Sequence, residues 1–392
     1  MRVLHVIPSL SPTSGGPSFA LPAMVRSLQP RDVRIVVATT DDDGPGRRLP
    51  GIIHGVETTQ DGWSTVCFPK QTEFYKVSLP LRNWLLAHVH EFDVVHIHAV
   101  FSFASLVAGR AAAARGVPYI VRPLGVLNRW GMENRRRLVK ALSFRLFDLP
   151  MLKRAAAMHY TSRMELEDAA RFGLMNIQRV IPIGIDLAPF DSLPPRSVFS
   201  AHFPETAATR NLLFLSRIDE KKGLDLLITA FAQLRPQQPE TRLVICGEGD
   251  PVYVAGLKQQ VQELGISEHI TWAGFMQGEM RLAAFAAAEL FVLPSHSENF
   301  GIALLEAMAA GLPCISTDQV ALAVDAAQEQ AVQLSAREPK AIAEALRSLL
   351  SSETRRQNLS ASARALTRRD YSLPAMGTRL HQLYHEVARR AV

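Results

Sequence analysis

No run of about 18 uninterrupted apolar residues occurs anywhere in the 392-residue chain, so no helix is expected to span a membrane. The apolar opening, Met-Arg-Val-Leu-His-Val-Ile-Pro-Ser-Leu, is too short for a secretion-signal core with a small-residue cleavage site. It reads as a first strand. Cysteine is scarce, and Cys67, Cys246 and Cys314 stand far apart in apolar surroundings. That spacing speaks against a paired zinc site or a disulfide framework and suits reduced core thiols in the cytoplasm. Internal repeats and low-complexity tracts are missing, and so is any complete G-x-G-x-x-G loop.

What is present is globular in kind, with 47% hydrophobic and 20% charged residues and a length that suits two or three domains. The net charge of +6 is local. Between 129 and 154 stand Arg129, Arg135, Arg136, Arg137, Lys140, Arg145, Lys153 and Arg154 against only Glu133 and Asp148, an excess equal to that of the whole chain. Trp130, Leu138, Leu142, Phe144, Leu146 and Phe147 are interleaved with these cations. Such a basic amphipathic segment reads either as an anchor on an anionic membrane surface or as a solvated helix packed on its own domain. No nucleic-acid-binding motif accompanies it.

Short apolar runs alternate with longer stretches of helical period, the pattern of a parallel sheet with crossover helices. In the first half, 3–7, 33–38, 94–97 and 118–121 read as strands and 102–115 as an Ala-rich helix ended by Gly116. After the Pro-rich stretch that closes at Pro195, a second series begins. Its expected strands are 212–215, 243–246, 270–272, 290–293 and 314–316, with helices over 224–234, 252–264, 279–288 and 301–310. The fold class is therefore α/β, two doubly wound Rossmann-like domains joined near the segment Ile-Pro-Ile-Gly-Ile-Asp at 181–186. Ligands of such sheets sit at the carboxyl ends of the strands and at domain interfaces, which points to a cleft between the two.

Four strand-end segments carry candidate chemistry. The most informative is Leu293-Pro-Ser-His-Ser-Glu298-Asn-Phe-Gly301-Ile-Ala-Leu-Leu-Glu306. A strand ends there, a polar turn follows, and a helix begins near Gly301. Two carboxylates thus flank the free N–H groups of Phe300, Gly301 and Ile302 at the positive end of a helix dipole, an arrangement suited to an anion. The second segment, Ser216-Arg217-Ile-Asp-Glu-Lys-Lys222-Gly223, places two cations at a strand terminus, where they would neutralise a diphosphate leaving group. Ser14-Gly15-Gly16-Pro17, after the first strand, and Cys246-Gly247-Glu-Gly-Asp250 offer backbone for close approach to a ligand. Taken singly, each is more often a capping turn or a solvated loop.

Taken together they resemble glycosyltransferase family 4, of the GT-B fold. The resemblance rests on S-R-I-D-E-K-K-G, I-C-G-E-G, W-A-G-F-M, P-S-x-S-E-N-F-G-I-A-L-L-E-A-M-A-A-G-L-P and the linker I-P-I-G-I-D, in the expected order over most of the chain. It implies an acceptor domain over 1–185, a nucleotide-sugar donor domain over 186–370, and a C-terminal helix over 371–392 that returns to the first domain, with the two domains facing across a cleft. It also implies an anomer-retaining, metal-independent hexosyltransferase that needs no cofactor, with a nucleotide diphosphate sugar as substrate, UDP ahead of GDP. The acceptor would be a glycan or lipid-linked glycan in polysaccharide biosynthesis, used in the cytoplasm or at the inner membrane face.

By that resemblance Arg217 and Lys222 hold the donor diphosphate as it leaves. Glu298 contacts the donor sugar and Glu306 the ribose, while backbone at Asn299, Phe300 and Gly301 completes the cradle. Gly16 and Gly247 bring backbone to the donor, and Phe275 and Met276 flank the base. Relatives carry a histidine in a turn after an N-terminal-domain strand; here that stretch reads Arg122-Pro-Leu124-Gly-Val. His98 is the nearest substitute for a catalytic or acceptor role, a structural histidine at a strand end being the equal alternative. Asp41-Asp42-Asp43 reads as a solvated loop rather than a metal site. A nucleotide-sugar epimerase, a phosphorylase or a non-catalytic subunit of a polysaccharide assembly remain as competing functions on the same fold.

Overall fold

Buried apolar runs form the strands expected of them, and several more polar segments add to both sheets. The computed structural model describes residues 1–60, 62–127 and 142–390. Arg129, Trp130, Glu133, Arg135, Arg136, Arg137, Leu138 and Lys140 of the basic segment lie outside the described residues. Two compact units emerge, residues 1–184 together with 373–392, and residues 185–372.

The first unit is built on eight strands, β1 (Arg2–Ser9), β2 (Arg34–Thr40), β3 (Glu57–Gln60), β4 (Trp63–Phe68), β5 (Val94–His98), β6 (Tyr119–Arg122), β7 (Ala157–Tyr160) and β8 (Ile177–Val180). Their order is β3-β4-β2-β1-β5-β6-β7-β8. Every neighbouring pair is parallel except the β3–β4 hairpin at one edge. The central strands have apolar side chains on both faces because both faces are covered by helices. On one face lie the helices Leu79–His88 and Phe103–Ala114, with Leu81, Leu85, Ala108 and Ala111 in the core. On the other, Leu21, Met24 and Val25 of the helix Gly16–Leu28 pack with Met376, Leu380, Leu383 and Val387 of the final helix Leu373–Arg390.

The second unit holds six parallel strands, β9 (Arg210–Leu215), β10 (Thr241–Cys246), β11 (Ile270–Gly274), β12 (Leu290–Leu293), β13 (Cys314–Thr317) and β14 (Gln333–Ser335). Their order is β11-β10-β9-β12-β13-β14. The strand order reverses between β9 and β12, so the loops after these two strands diverge from a common point. That is where open parallel sheets present their ligand sites. All three cysteines are buried and free. Among the described residues no helix is long and apolar enough to cross a membrane.

Candidate active site

In the second unit the site grows from the end of β9. Asp219 accepts the N–H of Lys221 at 3.0 Å and caps the short turn Glu220–Lys222. Gly223 follows in the left-handed region at φ +67°, and a Cβ there would stand 2.1 Å from the carbonyl oxygen of Pro294. Only glycine lets the loops after β9 and β12 touch at this point. The contact is completed by His296, whose N–H donates to the Lys221 carbonyl at 2.7 Å. The result is an ion pair between Lys222 and Glu298, both side chains largely buried. The Glu298 backbone is itself held, its N–H donating to Gln319 at 2.9 Å and its carbonyl accepting from Ala321 at 3.3 Å.

Gly301 stands at φ +100° as the N-cap of the helix Ile302–Ala309, and no side chain caps that helix. A Cβ on Gly301 would meet Val320 at 2.9 Å. The first-turn N–H groups therefore have no side-chain cap, at the positive end of the dipole. The Phe300 ring is buried against Tyr371 at 6.1 Å, and its carbonyl accepts from Leu322 at 3.2 Å, so it anchors the turn. Asn299 beside it is half-buried.

One turn into the same helix, Glu306 pairs with Arg281 of the helix Gly278–Ala287. Burial holds the Glu306 carboxyl above its ordinary pKa, and Arg281 draws it back. Nothing in the sequence singled out Arg281, which lies 25 residues from its partner in a helix whose pattern is otherwise ordinary. Its Nε is buried without a partner, leaving one donor direction unused. Arg217 is exposed on the loop after β9 and makes no ion pair among the described residues. Gly247 donates its N–H to the Gly274 carbonyl at 2.7 Å, so that amide is already spent on holding the loops after β10 and β11 together. Phe275, after the edge strand β11, is 63% exposed, and Met276 is half-buried. The structure thus brings Lys222 directly to Glu298, gives Glu306 an unforeseen cation, and leaves Arg217 unpaired.

The first unit corrects two expectations. His98 is fully buried and presents no surface to a substrate. Its Nε2 lies 2.9 Å from His5 Nδ1, and His5 Nε2 lies 3.2 Å from the hydroxyl of Tyr384. That hydroxyl lies 2.9 Å from His96 Nδ1, His96 Nε2 lies 3.2 Å from His159 Nδ1, and His159 Nε2 is 2.9 Å from the Ile181 carbonyl. The carbonyl only accepts, so His159 must donate through Nε2, and the order of every other proton follows. All four imidazoles are neutral with the proton on Nε2, and the chain of donors runs from His98 to Ile181. His5, His96 and His98 bring nitrogens within 4.8 Å of one another, a spacing that would suit a metal ion. The hydrogen bonds already use both nitrogens of His5 and of His96 and leave only His98 Nδ1 without a partner, and the buried guanidinium of Arg122 alongside disfavours a further cation.

The aspartates 41–43 are likewise not a solvated loop. Asp41 is buried, accepts the Lys70 N–H at 2.7 Å and pairs with His54 at 3.0 Å. Asp42 pairs with Lys70 at 2.8 Å and Lys76 at 3.0 Å, and Asp43 accepts from Ser11 and Thr13. This ties the turn before the first helix, and hence exposed Gly16, to the end of β2. The turn after β6 holds Leu124 at φ +61°, pinned by the buried Glu165 carboxylate, which accepts from Gly125 and Thr161.

Two family models match the chain in succession: "Glycosyl transferase 4-like domain" over residues 15–184 and "Glycosyl transferases group 1" over residues 201–366. The chain belongs to the family 4 glycosyltransferases. Mannosylfructose-phosphate synthase of Agrobacterium fabrum is 33% identical over 143 residues, 32% of this chain and 32% of its own. Phosphatidyl-myo-inositol mannosyltransferase of Mycobacterium leprae is 32% identical over 212 residues, 53% of each chain. The chain thus spans about a third to a half of the length of the curated relatives it matches. The crystal structure of Anabaena HepE with UDP and glucose superposes with a TM-score of 0.76 at 17% identity, over 98% of this glycosyltransferase and 100% of HepE. At that identity the likeness is one of fold, and the fold is GT-B.

Proposed function

We propose that this protein transfers a hexose, with retention of anomeric configuration, from a nucleoside diphosphate sugar bound in residues 185–372 to a glycan or lipid-linked glycan in polysaccharide biosynthesis. The observation that carries the reading is the arrangement of two carboxylate–cation pairs, Lys222–Glu298 and Arg281–Glu306, about a helix start with no side-chain cap. Without donor, each charge is neutralised by its partner. With donor, the diphosphate would take Lys222, Arg217 and the helix N–H groups, freeing Glu298 for sugar hydroxyls. Glu306, its carboxylate held by Arg281, would accept from ribose. Cations and N–H groups would then meet the charge of the leaving group without a metal ion. The names of the mannosyl-transferring relatives, and UDP in the HepE crystals, support a hexose and UDP ahead of GDP. A thermal-shift panel of UDP-, GDP- and ADP-hexoses, followed by acceptor-dependent release of the nucleoside diphosphate, tests the assignment. Release without acceptor would speak for another reaction, and failure to bind any sugar nucleotide for a non-catalytic subunit.

Glu306→Ala is expected to weaken binding of the free nucleoside diphosphate, whereas Glu298→Ala should weaken mainly the intact sugar nucleotide. Calorimetry with both ligands checks this, and the reverse pattern would mean that the donor lies the other way round. Turnover is expected to be unchanged by EDTA. Loss that Mg²⁺ restores would contradict a metal-free reaction.

Attachment to an anionic membrane surface at the inner face of the cytoplasmic membrane is part of the same reading. Within the described part of the basic segment, Phe144 is buried, while Leu142 is 61% and Phe147 42% exposed and Leu146 is exposed beside Arg145. Apolar side chains next to cations suit an interfacial helix. Each cation near such a surface contributes on the order of 1 kcal/mol, less as salt shortens the Debye length. The protein should sediment with anionic vesicles at low salt and poorly with neutral ones. Arg135, Arg136 and Arg137 changed together to Gln should release it while donor binding survives. Equal binding to both vesicle types would leave the segment as a solvated helix.

A further inference from the structure

The final helix, Leu373–Arg390, carries a second histidine pair apart from the buried chain of imidazoles. His381 and His385 are one turn apart, both half-buried, with their Nε2 atoms 3.1 Å apart and their rings edge to face at 4.4 Å. At this distance one ring donates a single proton to the other, and one lone pair is held against a neighbour that a bound ion would replace. Zinc–imidazole bonds are about 2.0–2.1 Å long, so two nitrogens on one ion stand roughly 2.9 Å apart at a right angle and roughly 3.4 Å apart at a tetrahedral angle. The observed separation falls between these limits. Two histidines four apart on one helix face are a spacing that metal sites use, and here the two Nε2 atoms already stand together.

We propose that His381 and His385 form a two-nitrogen site for a divalent transition metal of the imidazole-preferring class, zinc, copper or nickel. The pair opens on a recess of about 590 Å³ lined by Gln382, Glu386, Arg389 and Arg390. The Glu386 carboxylate is engaged by Arg179 at 2.8 Å, and Arg390 lies 3.6 Å from it. Water would therefore fill the remaining positions on the ion. The surrounding arginines moderate the affinity, and hard oxygen-seeking cations such as Mg²⁺ have no ligand set here. An ion bridging these two turns stabilises the helix that supplies Tyr384 to the first unit, and touches nothing in the donor-binding residues.

The test is calorimetric titration of the full, untagged chain with ZnCl₂ at pH 7.5, repeated with His381→Gln, His385→Gln and, as a control, His202→Gln on another exposed helix. One ion per chain is expected, weakened roughly tenfold or more by either of the first two changes, since even loss of an outer-sphere partner commonly costs that much. His202→Gln and excess Mg²⁺ should change nothing. With CuCl₂ the electron paramagnetic resonance spectrum should show two equatorial imidazole nitrogens, and one fewer in each variant. Both side chains are half-exposed, so circular dichroism melts should find the variants folded. Undiminished binding in both His381→Gln and His385→Gln, or no saturable binding by the parent chain, would overturn the assignment. EDTA would strip this ion too, so the chelation test on turnover is best read in His385→Gln, where the two effects separate.

Discussion

Arg217→Ala and Lys222→Ala are each expected to lower kcat/KM by about a hundredfold, the loss that follows removal of one preorganised electrostatic donor. The diphosphate is already charged in the bound sugar nucleotide and gains further charge as the glycosidic bond breaks, so the loss should fall on both KM and kcat. The two variants should differ in stability. Arg217 is exposed and makes no ion pair among the described residues, so its removal should leave the melting temperature nearly unchanged. Lys222 neutralises the largely buried Glu298, and its loss leaves a carboxylate short of its partner, at a cost of about 1–3 kcal/mol. Arg217→Lys keeps the charge but loses the planar fork, and should fall between wild type and Arg217→Ala. Steady-state kinetics beside melting curves separate the two effects. Activity near wild type in Arg217→Ala would sink the diphosphate-clamp assignment, whereas a lost melting transition in that variant would show that Arg217 serves the fold instead.

Legibility in the sequence followed how local each signal was. The apolar strand runs and the helix 224–234 were readable because each pattern is complete within a dozen residues. β4 (Trp63-Ser-Thr-Val-Cys-Phe) buries Ser64 and leaves Thr65 half-buried before three buried residues in a row, so neither an apolar run nor a clean alternation marks it, and the three-residue β14 is too short for any periodicity to register. Both were missed. Within the candidate site, Glu298 and Glu306 stood out because a turn and a helix start lie between them in one segment. Arg281 did not, since its meaning depends on packing two helices that no spacing rule connects. The histidines were the hardest case. His5, His96, His98 and His159 look like ordinary alternating positions on β1, β5 and β7, and their common partner Tyr384 arrives from the far end of the chain. A strand-end histidine was visible. That it closes a buried, fully ordered network was a property of the fold.

That network makes the first unit sensitive to acid, and the sign follows from the protons. His5 and His159 are lowered to about 3, and His96 and His98 lie well below the usual histidine value. Burial is the first cause for all four, with Arg122 or neighbouring histidines adding to it. The unfolded chain would bind a proton at each near pH 6.5, whereas the folded unit binds none until far lower pH. Their stabilisation is therefore complete above about pH 6.5 and is lost as pH falls, at about 1.4 kcal/mol per pH unit for each proton. Two buried carboxyls oppose them. Asp148 is raised to about 6 and Glu165 is raised by burial, so the folded unit takes up protons at these two earlier than the unfolded chain does. Four against two leaves a net slope of roughly 3 kcal/mol per pH unit below pH 6. At that slope a unit at the low end of the usual range of about 5–15 kcal/mol should unfold at about pH 4, and a more stable one at lower pH. Among the described residues the second unit has no fully buried histidine, so hydrogen exchange should show β5, β6 and β7 losing protection between pH 6 and 4.5 before β9, β10 and β12. Tyr384→Phe removes the hydroxyl that joins the two halves of the network. It leaves His5 Nε2 and His96 Nδ1 buried and unpaired, and should cost about 1–3 kcal/mol at pH 7.5. His159→Gln should reduce the slope by about one proton. Equal protection of both units at pH 7.5 and pH 5 would mean that the imidazoles are not the neutral, buried chain described.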